Sequence, residues 1–360
     1  MVLSQAYRNT RSRQLEYERH NRLTTLTAEF TSSHPNPSTP RPASAERVSV
    51  IIPAYNATPY IVEALNSVFA QTYPAHQVIV VNDGSPDTPQ LEEVLQPYRD
   101  RITYLVQENR GLSGARNTGL RAATGDLIAL LDADDIWLPK YLEMQAAYLR
   151  QHPEYDLVYC NARFFGDSIY DGKEYMAVCP SVGEATAAAI ISRQCHVFVS
   201  VTARTQVLQS LGFNESLRSC EDFDCWLRLT AAGYKIGYHN NILVRYRKHK
   251  ASLSANPTAM ADYNLRVLNM SLPLWPEDSR EANLLLVAKA NKQAELATLR
   301  AKLALQKQDI PSAIAYLQEA NSHYNSPKLS MVITLLRWMP KLVTAAFQIR
   351  ASLLPAHRDL

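Results

Sequence analysis

The sequence has no long apolar run. Its 360 residues contain no stretch of about eighteen consecutive apolar residues, the minimum for a helix that crosses a bilayer. The N-terminal segment MVLSQAYRNTRSRQ also lacks the apolar core of a secretory signal peptide. We therefore expect a cytoplasmic protein that neither spans the membrane nor is secreted by that route.

Cysteine is scarce as well. The five cysteines are odd in number and form no C-x-x-C pair, so the sequence predicts neither a disulfide framework nor a zinc site. We expect reduced thiols. The formal net charge of +3 is too small to indicate nucleic acid as a partner, and we expect none. What the chain does have is 46% hydrophobic residues, enough for the core of one large α/β domain with an appendage.

The chain divides into segments of different pattern. Residues 1–46 pass from a charged, partly helical pattern into a Pro/Ser-rich stretch, which predicts a linker or a disordered arm. From 47 to 255, strand patterns alternate with helical patterns, which predicts βαβ units in an α/β domain with a mostly parallel sheet. Within it, residues 234–254 read as a pair of strands and a basic loop. Residues 256–327 predict a helical extension.

The final segment, residues 328–360, opens with a helical pattern that is apolar on most of its surface. Its charges up to position 350 are all positive: Lys328, Arg337, Lys341 and Arg350. Charges and Pro340 interrupt the pattern too early for a transmembrane span. Two interpretations stay open. An amphipathic helix in peripheral contact with an anionic membrane, at its inner face, fits Trp338 and the flanking bases. The other is a helix docked on the preceding domain.

The most informative stretch is LIALLDADDIW, an apolar strand pattern that ends in carboxylates. Asp132 and Asp134 fall on one face of the strand, and Asp135 points the other way. Two carboxylates at the carboxyl end of a strand suit a hard divalent cation, with water and phosphate oxygens as further ligands. From these residues alone, a solvated acidic loop that caps a helix is the alternative.

Polar residues also follow the other predicted strands, as PAYN, NDGS and NRG. In an open α/β sheet the ligand lies across the carboxyl ends of the strands. The G-x-G-x-x-G turn and the Walker lysine pattern are absent, which excludes those phosphate loops. Asp83 can accept the N–H of a pyrimidine, Tyr55 can stack on the base, and Arg116 can meet a phosphate or a base. Together they describe a site for a nucleoside diphosphate.

Residues 48–87 and 108–135 resemble the nucleotide-binding half of the inverting family-two glycosyltransferases, which have the GT-A fold. The resemblance covers roughly residues 47–255. It implies that Asp132 lies near the ribose or the metal, and that Asp134 binds an Mn²⁺ or Mg²⁺ ion that bridges the diphosphate. The residues that it implies around the nucleotide are Pro53, Tyr55, Asn56, Asp83 and Arg116.

Two later segments extend the resemblance. CEDFDCW resembles the E-D motif of the family, which implies Asp222 as the catalytic base and Glu221 as its neighbour near the acceptor. Trp226 either lines the acceptor side or belongs to the core. YRKHKASLS resembles the basic loop after the last strand, which implies His249 as a metal or diphosphate ligand; a solvated histidine is the alternative.

The chemistry of sugar transfer calls for these residue types. The leaving diphosphate needs positive charge, and the acceptor hydroxyl needs a base as it attacks the anomeric carbon. One carboxylate suffices for that base, and a single displacement inverts the configuration. We expect the helix dipole to hold Asp222 ionised at neutral pH. Alternatively, Asp222 and Glu221 only stabilise the start of the helix.

An α/β domain with these patterns leads to three functional hypotheses. The first, which we predict, is an inverting glycosyltransferase that uses a UDP or GDP sugar and a glycan or lipid-linked acceptor, in polysaccharide or glycolipid biosynthesis. A sugar-phosphate nucleotidyltransferase would need a glycine-rich loop after the first strand, and PAYNATPY lacks it. A non-catalytic, transferase-like scaffold would have no physical need for clustered buried acids.

Overall fold

The computed structural model describes residues 46–250, 252 and 255–345. The predicted arm therefore lies outside the described residues, except for Glu46, and so do residues 346–360 of the final segment. Within the described part, eight strands form one sheet in the order β3-β2-β1-β4-β7-β6-β8-β5. The strands are β1 Val48–Ala54, β2 Gln77–Asp83, β3 Thr103–Gln107, β4 Leu127–Leu130, β5 Ile136–Trp137, β6 Leu157–Gly166, β7 Val201–Arg204 and β8 Ile236–Lys248.

The sheet is mixed. Strand β1 pairs in parallel with β2 and β4, β2 with β3, and β6 with β8. Strand β7 is antiparallel to both β4 and β6, and β5 is antiparallel to β8. The prediction of an α/β fold with a mixed, mostly parallel sheet is confirmed.

Helices connect and flank these strands. They are α1 Ile61–Phe69, α2 Thr88–Leu95, α3 Gly111–Ala122, α4 Tyr141–Gln151, α5 Tyr175–Val178, α6 Ala187–Ile191, α7 Thr205–Leu211, α8 Glu221–Ala231, α9 Pro257–Ser271, α10 Arg280–Gln306, α11 Ile310–Tyr324 and α12 Pro327–Trp338. Short 3₁₀ segments follow α2 and α9.

The apolar runs of β1 and β4 are buried along their whole length. Both faces of these strands are covered, which is why the sequence runs apolar instead of alternating. Each buried aliphatic side chain contributes about 1.5–3 kcal/mol. The register aligns Ile51 with Leu130 and Ala54 with Asn82, so the strands end together. The polar residues that follow them therefore gather at one edge of the sheet.

The prediction of a strand pair over residues 234–254 was wrong. The structure has one strand there, β8, thirteen residues long. Its pairing with β6 jumps from His239 to Ile242 while β6 advances by a single residue. Asn240 and Asn241, a polar pair typical of a turn, are accommodated as an irregularity in a continuous strand.

The C-terminal helices divide between two cores. Helix α9 and the first part of α10 pack on the main core through Val267, Leu268 and Leu285. The rest of α10 forms a second cluster with α11 and α12, built on residues that include Ala313 and Leu336. None of the helices in the described residues has the length and apolar character that crossing a bilayer requires.

Candidate active site

The turn after β2 fixes the Asp83 carboxylate at the polar edge. Gly84 has a positive φ of 61°, and a Cβ there would lie 2.7 Å from the backbone nitrogen of Asn109. Asp83 is 2% exposed. Its Oδ1 accepts from Gln107 Nε2 at 2.6 Å and from the Arg110 backbone N–H at 2.8 Å. Among the described residues Oδ2 has no partner, so one oxygen can accept from a ligand.

The other residues predicted around the nucleotide lie at the same edge. Pro53 is buried in the last part of β1, and the Tyr55 ring is 52% exposed directly after the strand. Asn56 has a positive φ of 50°, and its backbone N–H donates to Ser85 Oγ at 2.7 Å. This bond joins the loop after β1, which carries the exposed Tyr55, to the loop after β2, which follows Asp83.

Strand β8 holds the acidic loop after β4 in place. The Arg247 backbone N–H donates to Asp135 Oδ1, and its Nε donates to the Asp134 carbonyl oxygen, both at 2.8 Å. Asp135 is 1% exposed, and its Oδ2 has no described hydrogen-bond partner. Burial, and then the charges of Asp134 and Asp132, raise the pKa of Asp135 well above its usual range. Asp135 therefore serves as a buried anchor for this loop.

Asp134 and His249 face each other across the loop. The distance from Asp134 Oδ2 to His249 Nε2 is 3.0 Å, and Tyr60 stacks on the imidazole with ring centroids 4.9 Å apart. Burial and the Asp132 charge raise the pKa of Asp134, while the hydrogen bond from His249 lowers it. The structure thus brings together two of the three predicted metal ligands.

Helix α3 carries Arg116 to the polar edge because it packs tightly on β1. A Cβ at Gly119 would overlap Ile51, so only glycine permits this approach. The approach also buries one face of the helix, and Arg116 is left 1% exposed. A guanidinium buried in this way needs carboxylate partners.

Arg116 finds two such partners from distant parts of the chain. Its Nη2 donates to Asp132 Oδ1 at 2.7 Å and its Nη1 to Glu221 Oε1 at 2.6 Å. Burial alone lowers the pKa of Arg116, but the two carboxylates raise it by more, so the guanidinium stays charged. Both terminal nitrogens bond to protein carboxylates, and Arg116 therefore joins the acidic loop after β4 to the start of α8.

Asp222 lies beside this bridge in the first turn of α8. The preceding residue, Cys220, adopts a left-handed φ of 59°, and three acids occupy the first helical turn, where they complement the dipole. Asp222 is half-buried, and its Oδ1 accepts from the Phe223 backbone N–H at 2.7 Å. Burial, and then the Glu221 charge, raise the pKa of Asp222 to about 7, against the opposing charge of Arg116.

Trp226 belongs to the core. It is 2% exposed and packs edge-on against Phe213, with ring centroids 6.4 Å apart. Its indole Nε1 has no described hydrogen-bond partner. Of the two positions predicted for Trp226, the structure has the one in the core. The side chain lies one helical turn beyond Asp222 and is covered by protein.

The donor set suits a divalent cation that completes its coordination with substrate oxygens. Within the described residues no three His, Cys, Asp or Glu side chains converge as a ready metal site. Asp132 is turned towards Arg116, which leaves Asp134 and His249. Their 3.0 Å separation matches the spacing of neighbouring ligands around an octahedral ion with bonds of about 2.1 Å. One carboxylate and one imidazole fit Mn²⁺ or Mg²⁺ together with water and phosphate oxygens.

Two contributors to this site were missing from the sequence-based predictions. Asp135 is marked in the sequence only as a third acid after the strand, on the opposite face from Asp132 and Asp134. Tyr60 lies in the turn before α1 and supports His249 by stacking across 189 positions of sequence. No local sequence pattern predicts that contact, because it depends on the position of β8 relative to α1.

We expect Arg116→Met to destabilise the fold by about 3–5 kcal/mol, because it leaves Glu221 and Asp132 without their buried counter-charge. The measurement is the free energy of unfolding in urea. Arg121→Met is the matched control on the same helix: Arg121 is exposed, and its loss should cost no more than about 0.5 kcal/mol. Equal effects of the two substitutions would contradict a structural role for the bridge.

The comparison with known proteins agrees with this geometry. The model of the family described as glycosyl transferase family 2 matches residues 49–199. An uncharacterized glycosyltransferase of Methanocaldococcus jannaschii is 31% identical over 205 residues, which cover 56% of this chain and 70% of that protein. One of Rickettsia conorii is 32% identical over 206 residues, which cover 56% of this chain and 34% of the relative. The chain thus spans only about a third of that relative.

Solved structures share the fold at lower identity. TarS of Staphylococcus aureus, residues 1–349 in complex with UDP-GlcNAc, superposes with a TM-score of 0.55 at 21% identity, covering 81% of this chain and 87% of that one. The mannosyltransferase PcManGT of Pyrobaculum calidifontis, in complex with GDP-Man and Mn²⁺, gives 0.53 at 21% identity, covering 94% and 96%. The predicted GT-A fold is confirmed, and the chain belongs to glycosyl transferase family 2.

Proposed function

We propose that this glycosyltransferase moves a sugar from a UDP or GDP sugar to a hydroxyl of a glycan or lipid-linked acceptor with inversion, with Asp222 as the base and a divalent cation at Asp134. The observation that carries the proposal is the Arg116 bridge. One buried guanidinium binds Asp132 and Glu221, which are 89 positions apart in the chain. It therefore sets Asp222, next to Glu221, beside the strand end that carries the metal-binding carboxylate.

The nucleotide side of the proposal rests on the loops after β1 and β2. The Asp83 carboxylate is oriented by two donors on Oδ1, and its other oxygen can accept the N–H of a base. The exposed Tyr55 ring offers a stacking surface. Solved structures of other proteins with this fold contain UDP, UDP-GlcNAc and GDP-Man. Both uracil and guanine present a ring N–H, so these contacts admit either base.

The metal side rests on Asp134 and His249. When a divalent cation is bound there, it supplies positive charge to the leaving diphosphate. The protein contributes one carboxylate and one imidazole, with Tyr60 and Arg247 holding the two ligands in place. Since Nε2 would face the cation, His249 would bind in its neutral form with the proton on Nδ1. PcManGT has been solved with Mn²⁺, which supports a metal of this type.

In the proposed transfer step the protein forms no covalent bond with the sugar. The acceptor oxygen forms its bond to the anomeric carbon while the bond from that carbon to the diphosphate oxygen breaks and the diphosphate takes the electron pair. The acceptor proton passes to Asp222, whose Oδ2 has no partner among the described residues. A base on the face opposite the leaving group permits one displacement, and one displacement inverts the configuration.

The test uses the full chain with Mn²⁺, a glycan array, and UDP and GDP sugars of α configuration. We expect release of the nucleoside diphosphate and a product whose new linkage is β, assigned from the coupling of its anomeric proton in NMR spectra. A retained α linkage would contradict Asp222 as the sole base. If UDP and GDP sugars stay intact while a dTDP, CDP or ADP sugar is consumed in a second panel, the proposed donor is wrong; if all five stay intact, the proposed transfer is wrong.

A further inference from the structure

Helix α12 exposes an apolar face. Its buried side contributes Ile333 and Leu336 to the second core cluster. The opposite side carries Met331, Leu335 and Trp338, spaced four and three residues apart and thus aligned along one face of the helix. Trp338 is 82% exposed and Met331 59%. A side chain as large as tryptophan is rarely left in water without a partner.

The apolar surface extends past the end of the helix. Met339 ends α12 and is 51% exposed, and Leu342 in the next helical stretch is 57% exposed. We call these five residues, Met331, Leu335, Trp338, Met339 and Leu342, the apolar face. Its five members all lie between positions 331 and 342, whereas the other large exposed apolar side chains of the described residues are spread from Tyr55 to Tyr324. Contiguous exposed apolar side chains mark an interaction surface.

The charge around the apolar face has one sign. Residues 320–358 contain no Asp or Glu. The cations of this segment are Lys328, Arg337, Lys341, Arg350 and Arg358. Of these, Lys328 lies three residues before Met331 and so on the same side of α12. The described part of this segment therefore joins an apolar stripe to positive charge.

We propose that the apolar face binds the surface of an anionic lipid bilayer, with α12 lying in the plane of the interface. Apolar side chains would enter the boundary of the acyl chains, tryptophan would sit at headgroup level, and the cations would meet anionic headgroups. A second copy of the chain fits less well. A two-fold contact would set this face against itself, with cations opposite cations and no Asp or Glu within residues 320–358 to neutralise them.

The experiment uses the full chain and two kinds of sucrose-loaded vesicle, phosphatidylcholine alone and phosphatidylcholine mixed with phosphatidylglycerol. We expect co-sedimentation with the mixed vesicles, reduced by salt, and a blue shift of tryptophan emission. Trp137 and Trp226 are both 2% exposed, and Trp275 is half-buried against the main core, so the shift should come mainly from Trp338. The Trp338→Phe variant should therefore lose most of the shift while still sedimenting.

Two sets of variants separate the apolar from the electrostatic contribution. Leu335→Glu combined with Trp338→Glu should lower the partition coefficient roughly tenfold or more, because it removes apolar contact and adds repulsion. Replacing Lys328, Arg337 and Lys341 with glutamine should weaken binding to a similar degree. Val182→Glu is the matched control. Val182 is 68% exposed but lies elsewhere in the chain, and its variant should bind like the wild type.

Three results would overturn the proposal. The wild type could stay in the supernatant with both vesicles, or the Leu335→Glu, Trp338→Glu variant could bind undiminished. Alternatively, light scattering could show self-association that the same double variant abolishes, without any vesicle binding, which would assign the face to contact between copies. All substituted positions are exposed, so equal melting temperatures are expected to verify folding. The assay needs no nucleotide, and its outcome is independent of the proposed sugar transfer.

Discussion

The Asp222→Asn variant is expected to lose about a hundredfold to ten-thousandfold in kcat for sugar transfer while it keeps its affinity for the nucleotide. Asparagine matches the shape of the side chain and can still accept the backbone N–H of Phe223, but it cannot take up a proton. The loss should therefore fall on the chemical step. The measurement pairs the acceptor-dependent release of nucleoside diphosphate with calorimetric binding of UDP and GDP.

A matched control comes from α9. Asp262 forms ion pairs with Arg266 and Arg300 and lies outside the carboxylate cluster of the polar edge. Asp262→Asn removes the same charge in a helix and should leave kcat unchanged. If Asp222→Asn retained kcat within a few-fold of the wild type, another group would have to accept the acceptor's proton.

The pH dependence of activity gives the same assignment a second readout. A base must be deprotonated to act, and burial raises the pKa of Asp222 to about 7. We therefore expect kcat/KM to fall about tenfold for each pH unit below that value and to level off above it. Arg116 lowers this pKa, so Arg116→Met should move the inflection to higher pH. A profile that rises as pH falls would contradict the role.

The raised pKa also shows where the sequence-based argument about Asp222 failed. The position of the acid at a helix start led us to expect that the dipole would hold it ionised at neutral pH. The start of α8 is itself buried, and Glu221 adds a second negative charge next to it. Desolvation and like charge outweigh the dipole, whose effect at an exposed terminus is worth about 0.3–1 kcal/mol. Burial of a helix end cannot be read from its cap residues.

The edge of the sheet was predictable because its signals are local. An apolar run followed at once by acids, as at 127–135, indicates a buried strand that ends at a surface. Once β1, β2 and β4 are parallel, their following loops must meet. The prediction of a strand pair around Asn240 and Asn241 was wrong because it used a local signal where a non-local contact decides. A polar dipeptide is typical of a turn, whereas pairing with β6 keeps the strand continuous.

The bridge that Arg116 forms between Asp132 and Glu221 could not be predicted from local sequence patterns. The sequence identifies Arg116 as a cation near a nucleotide site, and the choice between ligand and protein carboxylates depends on which face of α3 is buried. Gly119, which lets α3 approach β1, offers a hint of that face. Glu221 follows Arg116 by 105 positions, and their contact depends on how the fold brings α3 and the start of α8 together. Periodicity carries no information about such a meeting.

The Asp134→Ala variant is expected to lose the metal-dependent part of UDP or GDP binding and about a hundredfold to a thousandfold in kcat. The carboxylate is the charged member of the proposed metal pair, and alanine leaves His249 alone. Calorimetry with and without Mn²⁺ measures the effect. The wild type should bind more weakly after chelation with EDTA, and the variant should bind equally weakly in both conditions.

His249→Gln separates metal binding from the hydrogen bond between Asp134 and His249. If the two side chains only stabilise each other, either substitution should lower the melting temperature, and Mn²⁺ should change nucleotide binding equally in wild type and variants. If they hold the cation, His249→Gln should weaken the metal dependence, and Asp134→Ala should abolish it. Since the side-chain Nε of Arg247 donates to the backbone carbonyl oxygen of Asp134, the loop should keep its place in both variants. A metal dependence that survives Asp134→Ala would therefore move the cation to other ligands.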